Sequence, residues 1–143
     1  MKFWDSSAVV PLLLSEPTSA VARALLRDDA AMVVWRLTGA EIVSALYRRR
    51  RGEEIDEAAV VAALRRLAAF EAHWTAVEDL APVDRRARRL LATHPLRAGD
   101  ALQLAAALIA CDEHPELLPV VTLDERLAHA ARREGFAVLP ASG

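Results

Sequence analysis

Apolar runs of strand length alternate with longer stretches of helical spacing along this chain. Phe3-Trp4 leads straight into Asp5, then Ser6-Ser7, then the apolar run Ala8-Val9-Val10-Pro11-Leu12-Leu13-Leu14. That order predicts a short strand ending at Asp5 and a helix over residues 7–14, closed by Glu16-Pro17. Thr18 or Ser19 caps a second helix through Val21, Leu25 and Leu26, and Asp28-Asp29 marks a turn. Residues 31–35 are continuously apolar, as in a strand covered on both faces. A helix starts near Thr38, turns Ile42, Val43, Leu46 and Tyr47 inward, and ends in four arginines and Gly52, with cations and a glycine where a C-terminus favours them. Residues 56–72 form a long amphipathic helix through Val60, Leu64 and Leu67, and residues 74–77 a third strand. Pro82 suits the first turn of a helix reaching residue 93, which His94-Pro95 breaks. A helix from Gly99-Asp100 to Cys111 leads to a fourth strand over residues 117–121. A last helix, 124–134, stops at Gly135, and residues 136–139 make a final strand. Strands separated by helices require crossovers. The expected fold is therefore a three-layer α/β/α sandwich on a parallel sheet of four to five strands, one domain over residues 1–143.

Composition narrows the picture. Of 143 residues 54% are hydrophobic, enough for a proper core and far from the profile of a disordered chain. Acidic or basic residues interrupt every candidate membrane span, and the N-terminus lacks the regions of a signal peptide. A single cysteine, Cys111, excludes an internal disulfide and a multi-cysteine zinc site, which makes a reducing cytoplasm the expected compartment. The formal net charge is −2, so nucleic-acid binding would rest on a local basic patch.

Four carboxylates recur at equivalent places. Asp5, Glu41 and Asp124 each follow a strand at a helix start. Asp100 opens a helix that feeds the fourth strand. In a parallel sheet all four positions fall on the edge where the strands end, and ligand sites lie in the crevice there. Each acid also has an ordinary structural reading. Thr38-x-x-Glu41 and Thr122-Leu123-Asp124-Glu125 match capping boxes, Asp5 is a plausible N-cap, and Asp100 suits the positive end of a helix dipole. Capping alone leaves unexplained why all four starts share one edge, or why Trp4 and Ala101-Leu102 flank the acids with apolar surface. Four converging carboxylates stay ionised only beside a compensating cation. All-oxygen donors select a hard ion, Mg²⁺ or Mn²⁺, which activates water, orients a phosphate and stabilises a leaving oxygen. Ser6, Ser7 and Thr122 are hydroxyl neighbours open to ligand contact or helix capping.

The segments Asp5-Ser6-Ser7-Ala8, Thr38-x-x-Glu41 with Ser44-Ala45-Leu46, Leu96-Arg97-Ala98-Gly99-Asp100-Ala101-Leu102-Gln103-Leu104-Ala105 and Val121-Thr122-Leu123-Asp124-Glu125-Arg126-Leu127 together resemble the PIN-domain ribonucleases, most closely the VapC-type toxins of bacterial toxin–antitoxin pairs. The resemblance runs over essentially the whole chain in the family's order. It implies a Mg²⁺- or Mn²⁺-dependent endoribonuclease acting on RNA, a homodimer, and inhibition by a small cognate antitoxin. It also implies that Asp5, Glu41, Asp100 and Asp124 are the metal-site acids, with Asp5 and Asp100 as the central ligands. Gln103 departs from the family, where many relatives carry His.

Arginine runs at 48–51, 65–66, 85–86, 88–89 and 132–133 are either phosphate contacts or solvated helix faces paired with acids, the second being the expectation for most. Arg97, close to Asp100, is the stronger candidate. Trp4, Trp35 and Trp74 are expected in the core, and the four histidines show no metal spacing. Two other classes compete. One is a catalytically silent domain of the same fold that binds RNA or a partner protein, distinguished by an absence of metal-dependent turnover. The other is a phosphoryl-transfer domain of dehalogenase or receiver type. The first of these needs an acid where Ser7 stands, and the second a late lysine, yet Lys2 is the only lysine.

Overall fold

The structure, a computed structural model, describes residues 1–141; the last two positions of the expected domain lie outside the described residues. Strands β1 (Lys2–Trp4), β2 (Met32–Trp35), β3 (Thr75–Val77), β4 (Val120–Val121) and β5 (Val138–Leu139) form one sheet in the order β3-β2-β1-β4-β5. Every pairing is parallel. Successive side chains of a strand point to opposite faces, so each strand feeds two cores. Phe3 joins Val33, Val120 and Val138 in one, and Trp4 joins Met32, Val34 and Val121 in the other.

Helices α1 (Ser6–Leu13), α2 (Ser19–Asp28), α3 (Thr38–Arg51) and α4 (Glu57–Glu71) cover the Trp4 face through Val9, Ala22, Ile42 and Leu67. Helices α5 (Leu80–Thr93), α6 (Ala98–Ala110) and α7 (Glu125–Arg133) cover the Phe3 face through Leu90, Leu104 and Leu127. The result is the expected three-layer sandwich. β1 lies in the middle of it, with Phe3 and Trp4 1% and 0% exposed. Each such side chain contributes about 1.5–3 kcal/mol by burial. Trp35 is equally buried and Trp74 packs partly against the second core, which places the tryptophans in packing rather than on a surface. Lys2 is buried as well and ties β1 to the end of α2, donating to Leu25 O at 3.3 Å and to Asp28 Oδ2 at 3.0 Å.

The chain leaves β1 on one side for β2 and β3, then returns to its other side for β4 and β5. Strand order therefore reverses at β1, and the crevice beyond the carboxyl ends of β1 and β4 is the topological switch point.

Three expectations are corrected. The fourth strand starts at Val120, not Leu117, because Pro115 opens a 3₁₀ turn over Pro115–Leu117 and Pro119 has no N–H to donate. Leu117 is left 71% exposed. Tyr47 is exposed because Ile42 and Leu46 already fill the inward stripe of α3, and Tyr47 stands about 100° further round. Thr38 is not a cap: α3 starts from Leu37, and the buried Thr38 lies inside the helix. No helix among the described residues is long and apolar enough to cross a membrane.

Candidate active site

Asp5 leaves β1 at its carboxyl end and sits before α1 without making a capping hydrogen bond. Its position is set from the neighbouring strand. The turn after β4 donates two backbone N–H groups, Leu123 N to Ser7 Oγ at 2.9 Å and Asp124 N to Thr122 Oγ1 at 3.1 Å. Each hydroxyl then sends its own proton to the same oxygen, Asp5 Oδ2, at 2.6 Å from Ser7 and 2.8 Å from Thr122. One carboxylate oxygen is thus saturated by protein. The other, Oδ1, meets Ser6 Oγ at a long 3.4 Å. This double relay gives Ser7 and Thr122 their place beside the carboxylate and stitches β1 to the β4–α7 turn.

Glu41 lies one turn into α3, and α6 fixes its carboxylate. Gln103 Nε2 donates to Glu41 Oε1 at 3.0 Å and to Thr38 Oγ1 at 3.1 Å. Ser6 Oγ stands 3.4 Å from Glu41 Oε2, between it and Asp5. Asp124 is a true N-cap, its Oδ1 accepting from Leu127 N at 3.0 Å. Asp100 sits in the first turn of α6, with Arg97 at the N-cap position. Asp124 thus caps α7 through its side chain, and Asp100 reaches back to the backbone of Arg97 at the start of α6.

All four acids line one cavity of about 780 Å³ at the switch point. Their charges act on one another. Burial raises the Asp5 carboxyl above its ordinary range, the Ser7 and Thr122 hydroxyls oppose that, and the charge of Asp124 adds to it. Glu41 is pushed up to about 7, first by burial and then by Asp5 and Asp100, against the hydrogen bonds from Gln103 and Ser6. Asp100 is raised by burial, then by Asp124 and Asp5, with the Arg97 backbone and guanidinium acting the other way. A divalent cation would relieve this repulsion. The donors are of the kind such a hard ion takes, oxygen throughout, and Asp5, Glu41 and Asp124 each keep one oxygen free of any hydrogen bond shorter than 3.4 Å among the described residues. Among those residues no three acids, histidines or cysteines are already closed on a single point. The four acids line the cavity without being gathered on one point.

Arg97 lines a smaller adjoining hollow with Asp100, Asp124 and Arg126, close to the acids as its sequence position implies. Several other arginines are ion-paired: Arg36 with Glu78, Arg49 with Glu16, Arg50 with Glu57, Arg86 with Glu113 and Glu134, Arg88 with Asp84. Sequence reasoning missed the anchoring of Glu41 by Gln103. Its one trace is a lone amide in the apolar run of α6, where Gln103 is 1% exposed.

Comparison with known proteins agrees with this fold. A profile of the PIN domain matches residues 2–133. Two Mycobacterium tuberculosis proteins, Ribonuclease VapC45 of strain CDC 1551 / Oshkosh and Ribonuclease VapC49 of strain ATCC 25618 / H37Rv, are each 36% identical over 139 residues, covering 97% of this chain and 94% of the relative. Among solved structures, PAE2754 from Pyrobaculum aerophilum superposes with a TM-score of 0.67 at 22% identity, over 96% of this chain and 88% of that one. FitAcB from Neisseria gonorrhoeae does so with 0.66 at 17%, over 96% of both. A profile spanning nearly the whole sheet, and relatives alike from end to end, leave one assignment: the chain belongs to the PIN domain family.

Proposed function

We propose that the protein is a metal-dependent endoribonuclease, the toxin of a two-protein toxin–antitoxin pair. The observation that carries this is the single cavity at the switch point of a PIN domain, lined by Asp5, Glu41, Asp100 and Asp124. The ribonuclease names of relatives alike over 97% of the chain support the same chemistry.

In this reading the four acids hold Mg²⁺ or Mn²⁺. When bound, such an ion neutralises phosphate charge and makes a water nucleophilic near neutral pH. The chain's own residues supply the order. Ser7 and Thr122 lock one oxygen of Asp5 and leave the other for the site. Gln103 holds Glu41 from α6, and Leu127 N holds Asp124. Arg97, beside Asp100, meets the phosphate backbone at the rim, since phosphate contacts supply much of the affinity for RNA. A cognate antitoxin as partner and a homodimeric state belong to the same reading, and their support is the resemblance to VapC-type toxins.

Asp5→Asn is the direct test. Asparagine keeps the shape and can offer an oxygen to the Ser7 and Thr122 hydroxyls, so the fold stays. Cleavage of single-stranded RNA in Mg²⁺ or Mn²⁺ should fall by about a hundredfold or more. Unchanged cleavage would remove the proposed site, and wild-type protein that binds RNA without ever cutting it would favour a silent binding domain.

A further inference from the structure

The cavity does not end at the acids. Along α3 it is lined by Glu41, Ser44, Ala45 and Arg48, positions i, i+3, i+4 and i+7 that form one stripe on a helix. The stripe runs from an anion near the start of α3 to a cation in its last turn. Seven residues separate them, about 10 Å along the axis. Two arginines line this far end, and they differ. Arg49 is ion-paired with Glu16, which the loop between α1 and α2 presents, and that loop is held by Glu16 N donating to Ser19 Oγ at 2.9 Å. Arg49 is therefore part of the wall. Arg48 is exposed and has no ion-pair or side-chain hydrogen-bond partner among the described residues.

We propose that Arg48 binds a backbone phosphate of the RNA beyond the one being cut, fixing the direction in which the strand lies across the cavity. This rests on the ribonuclease reading above. A strand whose reacting phosphate sits at the acids must place its next phosphates along an open channel, and the α3 stripe is such a channel. Four further features agree. Ser44 and Ala45 are small and leave room between the two ends. Every other charged group lining the cavity, apart from Arg49, is an acid. The charge of Arg49 is already matched by Glu16. Arg50, next along the helix, is drawn off to Glu57 at 3.5 Å and does not line the cavity.

The test uses Arg48→Gln, with Arg50→Gln as the control away from the cavity. For cleavage of a single-stranded RNA decamer in Mn²⁺, R48Q should raise KM roughly two- to fivefold with kcat close to wild type. Binding of the same RNA should be measured across a salt series on the D5N background. There the slope of log K against log salt should become shallower by about 0.7 when R48Q is added, the loss of one phosphate contact on a single strand. R50Q should change neither. Equal KM and equal salt slope for R48Q and wild type would overturn the inference while leaving the ribonuclease reading intact. That is the outcome expected if Arg48 serves an acidic partner protein instead. A fall in kcat at unchanged KM would overturn it too. Wild-type protein that neither binds nor cleaves RNA at any Mg²⁺ or Mn²⁺ level would sink the ribonuclease reading and this inference with it.

Discussion

Gln103 carries an odd pair of properties for a buried residue. Its Nε2 serves both Thr38 and Glu41, while its Oε1 is buried with no hydrogen-bond partner. An orphaned buried oxygen costs about 1–3 kcal/mol, and leucine at this position would avoid that cost. What the amide contributes is donors aimed at a carboxylate. Gln103→Leu removes the orphan and the donors together, so stability should change by no more than about 1 kcal/mol. Activity should respond differently: with Glu41 unanchored, kcat should fall about tenfold or more. Gln103→His, which restores a ring N–H, should recover most of the loss. Denaturant melts beside steady-state RNA cleavage measure the two effects separately. A kcat unmoved in Gln103→Leu would mean that Glu41 needs no support from α6.

At the scale of elements, helix and strand identities were legible because the chain alternates apolar runs with 3.6-residue periodicity, and a parallel α/β topology then fixes which ends share an edge. Ends were harder. Leu117-Leu118 looks like strand, but Pro115 and Pro119 decide where pairing begins, and composition does not weigh one proline against a run of apolar residues. Thr38 matches a capping box, yet the backbone already turns at Leu37. The acids themselves were legible from their places at helix starts. The hydroxyl relay onto Asp5 was not, since its bonds from Thr122 to Asp5 and from Leu123 to Ser7 join residues more than a hundred positions apart. Asp124 is the acid for which both readings hold at once, cap and cavity lining, and substitution can separate them. Asparagine caps as well as aspartate does, so Asp124→Asn should leave the melting temperature near wild type and depress RNA cleavage. Asp124→Ala should lose cleavage to the same degree and about 1 kcal/mol of stability besides. Equal stability in the two variants would show that the bond to Leu127 N contributes little to α7.

For the molecule as a whole, gathering acids into one cavity makes the metal-free protein respond to pH in the direction opposite to that of an ion-paired carboxylate. Burial and the neighbouring acids push the carboxyl of folded Glu41 up to about 7, against an ordinary 4.5. Between those values the folded chain keeps a proton that the unfolded chain has released. Stability depends on pH through that difference in bound protons, so it should fall as pH rises from about 4.5 to 7 and level off above. Asp5 and Asp100 are raised too and act in the same sense. Under the proposed function, a divalent cation would take the place of the missing protons. Mn²⁺ should therefore stabilise the protein strongly at pH 8 and weakly at pH 5, where protons compete for the same oxygens. At a hundredfold excess over Kd the gain is about 2.7 kcal/mol. At about 3 °C per kcal/mol for a domain of this size, that is a shift of several degrees. Melts in EDTA and in Mn²⁺ at the two pH values read the effect directly, and Asp5→Asn should shrink it. A melting temperature in EDTA that rises from pH 5 to 8, or a Mn²⁺ shift of the same size at both, would contradict the cavity as an acid cluster that is stable only when charge-compensated.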